Sequence, residues 1–318
     1  MTLPLRVSEA RRLEKALFQN GNNNNHIIVD ILTSLNSDQR LQLVSTYEKL
    51  FARPLILDLQ SELGGLFEDS CVTLVKPYHE LNADIIYSSL VGDKFTLLPI
   101  IDVFFTHTNG QLNKIREQFI EKYGGDINEY LINIPDSNLF EITNRILNID
   151  RDSDDSVDLY LAYEEVDQLN SSGLGLSWTR QNEFLDLLCT RSFDQLSLTM
   201  KIYHQVTGGH LQDDISRYFD GDLHDIFSSI VSCIQCPVDY FAGRINESLK
   251  GSLNNDQNII NIFVTRSEID LSQIIKRYSS IFRKQLKDEI KQSMKGDFRR
   301  LLLSLIRKSE QTNYTESN

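Results

Sequence analysis

Two spacings in this chain invite chemistry. The first is Cys233-Ile-Gln-Cys236, the C-x-x-C pattern of zinc and dithiol sites. A structural zinc needs four ligands, and the other cysteines, Cys71 and Cys189, stand far off in sequence. The stretch 226–236 reads as a buried helix, where thiols behave as small apolar groups. The six histidines are scattered, and no Ser/His/Asp set, Gly-rich phosphate loop or His-Glu-x-x-His accompanies them. No catalytic residue is assigned, and an enzyme is not expected.

The second is a basic run. Residues 276–308 carry 11 basic and three acidic groups, a net +8, while residues 1–275 sum to −19. Within the run Arg283, Lys284, Lys287, Lys291, Lys295, Arg299 and Arg300 form a candidate patch for an anionic partner. A solvated helical face is the competing reading. The whole chain, with 32 Lys+Arg against 45 Asp+Glu, has a net charge of −13. That field repels phosphate, so no nucleic acid is expected, and an anionic bilayer is reached only through a bound cation or a local basic patch. Four cysteines in 318 residues make no disulfide framework. Residues 1–12 lack a signal-peptide layout, and no apolar run approaches the roughly 18–20 residues of a membrane span. The expectation is a thiol-reduced, cytoplasmic protein.

The elements that must position these groups come from an internal repeat. Leu32-Thr-Ser-Leu-Asn36, Phe105-Thr-His-Thr-Asn109, Cys189-Thr-Arg-Ser-Phe193 and Val264-Thr-Arg-Ser-Glu268 are alike, and their anchors Leu35, His107, Arg191 and Arg266 are spaced by 72, 84 and 75 residues. The register persists elsewhere. Twelve residues on stand Tyr47, Phe119, Tyr203 and Tyr278, and eight further on Leu55, Ile127, Leu211 and Leu286. Seven before each anchor stand Ile28, Ile100, Phe184 and Ile259, followed at +3 and +4 by Ile31/Leu32, Val103/Phe104, Leu187/Leu188 and Ile262/Phe263. Offsets of 0, +3 and +4 mark the buried stripe of a helix. Strand alternation is not sustained, so the class is all-α. The boundaries read as a short head (1–12), repeats at 13–80, 81–147, 161–236 and 237–308, a charged linker (148–160) and a polar tail (309–318).

Four helical repeats at this spacing resemble the annexin core. Asp58-Leu-Gln-Ser-Glu-Leu-Gly-Gly-Leu-Phe-Glu68, Val264-Thr-Arg-Ser-Glu-Ile-Asp-Leu271, Leu223-His-Asp and Pro237-Val-Asp-Tyr-Phe-Ala242 agree with that family, and are most similar to its invertebrate, particularly insect, members. The resemblance covers about residues 10–308. It implies five helices per repeat in a right-handed superhelix, a disc of four repeats, and anionic phospholipid held through calcium on one face.

Calcium takes about 6–8 oxygen ligands. In annexins a Gly-x-Gly-Thr loop supplies carbonyls and a carboxylate some forty residues later closes the shell. The matching carboxylate column here reads Glu62, Ile134, Tyr218 and Ser293, so only the first repeat keeps an acid. The two loop-glycine columns read Asn20, Gly92, Leu176, Gly251 and Asn22, Lys94, Trp178, Leu253. In repeat one, Asn20, Gly21 and Asn22 with Glu62 are the candidate site for one weakly held calcium, against the simpler reading of a solvated Asn-rich turn. Asp136 and Asp220, two residues past their columns, lack a loop to meet them. The resemblance also implies a central polar channel, matched by Asp102, His107, Arg266 and Asp270. Arg191 and Arg266 are expected to bond helix-end carbonyls in their own repeats. The resulting expectation is a peripheral phospholipid-binding protein at the inner face of membranes, with weak or lost calcium dependence. Its alternative is a calcium-independent scaffold for an acidic or cytoskeletal protein.

Overall fold

The computed structural model describes residues 6–18, 24–92, 95–134, 136–152, 157–172, 178–251 and 256–316. In chain order these form α1 (Val7–Phe18), α2 (Asn25–Ser34), α3 (Ser37–Phe51), α4 (Leu55–Glu62) and α5 (Gly65–Val75). Then come α6 (Tyr78–Val91), α7 (Leu98–Phe104), α8 (Asn109–Tyr123), a 3-10 helix (Ile127–Asn133) and α9 (Ser137–Leu147). A third group follows as α10 (Leu159–Ser172), α11 (Trp178–Thr190), α12 (Phe193–Thr207), α13 (Leu211–Tyr218) and α14 (Gly221–Gln235). The last is α15 (Pro237–Lys250), α16 (Asp256–Arg266), α17 (Leu271–Phe282), α18 (Leu286–Ser293) and α19 (Gly296–Glu316). No strand occurs among the described residues. Helix α1 begins at Val7, inside the stretch read as a head, and α19 runs on through most of the stretch read as a tail.

The apolar columns explain why these helices form and which face they bury. Ile28, Ile100, Phe184 and Ile259 are each at most 1% exposed, and so are Leu32, Phe104, Leu188 and Phe263. Leu187 is half-buried, and every other column member is buried. The starts of α3, α8 and α12 repeat one chemistry as well. Asn36, Thr108 and Ser192 each accept a hydrogen bond from the backbone N–H of a Gln three residues on, at Gln39, Gln111 and Gln195. In the first two the Gln side chain bonds back, which completes a capping box. The fourth repeat departs from this. Helix α17 starts only at Leu271, because Asp270 is held by the Arg266 guanidinium, at 2.8 Å from Nε and 2.5 Å from Nη2.

Contacts cluster the chain into two units, residues 1–81 with 241–318, and residues 82–240. In the first, α19 lies along α2 and α5, α16 packs on α5, and α1 packs on α2 and α3. In the second, α10 lies along α12, α13 packs on α14, α14 on α7, and α11 on α9.

In the first three repeats the aromatic column ties the long helix to the short element after it, and in the fourth it reaches back to α15. The Tyr47 hydroxyl donates to Asp58 at 2.6 Å, and Tyr203, in the same column, donates to Asp214. Burial and the neighbouring carboxylate raise both phenols above their ordinary range. Phe119 has no hydroxyl and meets the edge of Tyr130 at 5.4 Å instead. Tyr278 donates to Asn246 at 3.4 Å, and burial with Glu289 nearby pushes it up to about 12.

Four helices close on a left-handed residue in one register. Gly124 and Gly208 fill it in α8 and α12, but Ala52 (φ 54°) and Arg283 (φ 57°) fill it in α3 and α17. A Cβ in that conformation costs on the order of 1 kcal/mol. Ala52→Gly and Arg283→Gly should therefore each raise the unfolding free energy by about 1 kcal/mol, read as a higher urea midpoint at unchanged m-value; an unchanged midpoint would contradict this. Tyr47→Phe should cost about 1–2 kcal/mol, because Asp58 loses a buried donor, and unfolding of that variant beside the parent measures it.

Candidate metal centre and basic surface

Glu62 ends α4 and stands exposed at the rim of a cleft of about 570 Å³ in the first unit. The cleft is built from repeat-related pieces. Asn25 and Asp256 occupy one column in the first turns of α2 and α16, and the α4–α5 turn faces its counterpart Ser293–Lys295 across the cleft. Gly65 (φ 59°) and Gly296 (φ 60°) open α5 and α19 in the same conformation. Two sequence-predicted sets thus meet here, since Glu62 of the metal candidate and Lys295 of the basic patch line one cleft. Asn20, Gly21 and Asn22 lie outside the described residues, as do Lys94, Leu176 and Leu253.

The cleft carries three carboxylates, Glu62, Asp256 and Asp297, of which Asp297 is committed. Asp297 accepts Asn25 Nδ2 at 2.8 Å and Arg300 Nη1 at 2.5 Å. Asp256 keeps one oxygen buried with no hydrogen-bond partner among the described residues, and burial raises its pKa. Among the described residues Glu62 accepts only a long bond from Ser61, at 3.4 Å. One accessible carboxylate against the Lys295 ammonium is a poor start towards the oxygen shell of a divalent cation. The other three column positions hold no acid. Ile134 is 6% exposed and packs inward, Tyr218 is half out, and Ser293 is exposed. Asp136, the displaced acid, instead caps α9, accepting the N–H groups of Asn138 and Leu139 at 2.9 and 2.8 Å. Asp220 precedes α14 without a side-chain cap bond. Asp256 and Asp297 were missed in the sequence. The repeat register could have signalled Asp256, which shares a column with Asn25, but the Asn25–Asp297 contact spans 272 residues and leaves no local trace.

The basic patch lies on the α17–α18 turn, α18, the α18–α19 turn and α19, with all seven residues exposed. Its three acids are all used: Lys284 pairs with Glu289, Lys291 with Asp288 and Arg300 with Asp297, each within 3.0 Å. Arg283, Lys287, Lys295 and Arg299 have no ion pair among the described residues, and Arg299 donates to the Lys291 carbonyl at 3.4 Å. Exposed pairs of this kind contribute little, so the paired lysines remain available to an anionic surface.

The channel candidates fall in two places. Arg266 and Asp270 form a buried pair in the first unit. In the second, Asp102 accepts the Tyr240 hydroxyl at 2.6 Å, and His107 Nδ1 lies 2.7 Å from the Val103 carbonyl oxygen. The expected role of Arg191 and Arg266 needs correction. Both pair with acids, Arg191 with Glu165 and Asp152, and Arg266 with Asp270. Helix-end carbonyls are served by arginines outside the anchor column. Arg40 donates to Leu32 and Leu35, Arg116 to Leu147 and Ile149, and Arg151 to Leu188 and Arg191. Arg151 has no carboxylate partner among the described residues and lies over the Phe105 and Phe193 rings, and burial lowers it to about 10. In the C-x-x-C pair, Cys233 is buried with its thiol towards the Phe105 carbonyl at 3.7 Å, and Cys236 caps α14.

A model of the annexin family matches residues 8–74, 166–230 and 240–305, more than half of the chain. Human annexin A13 is 30% identical over 298 residues, 94% of each chain. Annexin B10 of Drosophila melanogaster is 28% identical over 305 residues, 95% of each. The solved structure of annexin III superposes with a TM-score of 0.87 at 26% identity, covering 94% of this chain and 92% of that one. An all-α chain with a fourfold register, matched in both sequence and structure over nearly its whole length, belongs to the annexin family.

Proposed function

We propose that the chain binds anionic phospholipid as a peripheral protein at the cytoplasmic face of membranes, with a calcium response that is weak or lost. The observation that carries the reading is the carboxylate column, in which Glu62 alone retains an acid and shares its cleft with Lys295. The basic surface of α17–α19 supplies what calcium would otherwise provide. Each basic side chain near an anionic bilayer contributes about 1 kcal/mol, so the four without an ion pair are enough for measurable binding. No helix among the described residues is long and apolar enough to cross a membrane. At most one calcium is assigned, held weakly by Glu62 with the Asn20–Asn22 loop.

The same surface supports a second reading, a scaffold for an acidic or cytoskeletal protein. Its support is that the patch holds more bases than acids even after every acid in 276–308 is paired. Co-sedimentation with phosphatidylserine vesicles, with and without calcium, separates the two. The membrane reading expects binding in chelator, enhancement by calcium of less than about threefold, and a loss of at least about tenfold in the Lys287→Glu, Lys295→Glu, Arg299→Glu triple variant. A strict requirement for micromolar calcium contradicts the lost-site reading. No sedimentation under either condition removes the membrane role and leaves the scaffold.

A further inference from the structure

Helices α1 and α10 open the first and third repeats, and each buries one stripe. In α1 the buried residues are Ala10, Leu13 and Ala16, and in α10 they are Ala162, Glu165, Val166 and Leu169. Setting Ala10 beside Ala162, both fully buried, brings the outward faces into one register. Ser8, Arg11, Arg12 and Lys15 then match Tyr160, Tyr163, Glu164 and Asp167, and all eight are exposed. Offsets of 0, +3, +4 and +7 put each set on a single helix face. The two faces occupy equivalent places and differ in sign, basic on α1 and acidic with two aromatic rings on α10.

Both sets are available to a partner. The acids of α1 are already used, Glu9 by Arg6 at 3.0 Å and Glu14 by Arg53 at 3.4 Å, and Arg11, Arg12 and Lys15 have no ion pair among the described residues. On α10 the buried Glu165 accepts Arg191 and Thr199, each at 2.6 Å, whereas Glu164 and Asp167 have no partner among the described residues. Tyr160 is 84% exposed and Tyr163 48%. A single solvated tyrosine is ordinary. Two rings beside two carboxylates on one face suit cations, because ring faces attract guanidinium and ammonium groups and carboxylates pair with them. The wider charge follows the same division. Residues 82–240, which include α10, hold 10 basic and 26 acidic groups, a net −16, while residues 1–81 with 241–318 sum to +3.

We propose that the chain self-associates by docking the acidic, aromatic face of α10 in one copy on the basic face of α1 in a second copy. With the two helices laid side by side in either direction, a base meets a ring or a carboxylate at three of the four positions. A helix of twelve residues spans about 18 Å, so the contact is small and belongs to the transient class, below about 1,200 Å². It uses neither the Glu62 cleft nor the basic surface of α17–α19, so it stands whether or not the membrane reading does.

Sedimentation velocity of the full chain from about 5 to about 500 μM, without lipid or calcium, tests it. Expected is a rise in mass with concentration, with a Kd on the order of 100 μM. Two reversed chains decide the contact. One carries Glu164→Lys and Asp167→Lys, the other Arg11→Glu, Arg12→Glu and Lys15→Glu. Each alone should associate at least about tenfold more weakly. Mixing them should restore association, because the first keeps its bases on α1 and the second its acids on α10. Tyr160→Ser with Tyr163→Ser, which changes no charge, should weaken association at least about threefold. All substituted positions are exposed, and circular dichroism with the urea midpoint reports the fold of each variant. Reversal of the other basic surface, Lys287→Glu with Lys295→Glu and Arg299→Glu, should leave association unchanged. The proposal is overturned by a chain that stays monomeric throughout, by association that survives either charge reversal, by a mixture of the two folded reversed chains that stays monomeric, or by loss in the Lys287, Lys295 and Arg299 variant alone.

Discussion

Short helices packed on all sides leave many terminal carbonyls away from water, and each must find a donor or carry a desolvation cost of about 1–3 kcal/mol. In this chain two buried arginines and a half-buried one meet part of that demand, and other features follow from where they sit. Arg40 reaches from α3 to the end of α2, Arg116 from α8 to the chain leaving α9, and Arg151 from the linker to the end of α11. A guanidinium suits the task because it stays charged when desolvated and its five donors reach several carbonyls at once. The linker after α9 is therefore a structural part of the second unit. Asn109 bonds Asp150 and the Arg151 backbone, Arg151 fills the space between two rings, and Asp158 begins α10 by accepting the N–H groups of Tyr160 and Leu161.

The helices were legible in the sequence because their determinants are local and repeated. Apolar offsets of 0, +3 and +4, cap residues such as Asn36 and Thr108, and the aromatic column all recur at one register, and four copies reveal what a single copy would hide. The carbonyl donors were illegible for the opposite reason. Arg40, Arg116 and Arg151 stand at three different distances from their anchors, so no column contains them, whereas Arg191 and Arg266, which are in register, pair with acids instead. Asp270 shows how one residue overrides a local pattern, since its pair with Arg266 delays α17 where a fourth Ser-capped start would be expected. The candidate site was half legible. Glu62 stands out as the lone acid of its column, while Asp256 and Asp297 share its cleft only through packing between the first and last repeats.

Electrostatics ties the site to the function proposed for it. A net charge of −13 describes neither the −19 of residues 1–275 nor the +8 that follows. Where the two meet, in the Glu62 cleft, Asn25 and Arg300 occupy Asp297, burial disfavours the charged form of Asp256, and Lys295 stands in the same wall. A cation entering that cleft gains little, whereas an anion approaching α18 and α19 from outside meets exposed bases. The annexin scaffold is kept here by carbonyl capping and aromatic packing, neither of which needs metal. The proposed reading, with Ile134, Tyr218 and Ser293 in the carboxylate column, therefore asks for no change in the fold.

The account depends most on the cation content of that scaffold, and calcium titration calorimetry on the full chain, repeated on Glu62→Gln, measures it directly. The predicted result is at most one site, with a dissociation constant of about 1 mM or weaker, abolished in Glu62→Gln. Two or more sites filling at micromolar calcium, or a single tight site that survives Glu62→Gln, would contradict it.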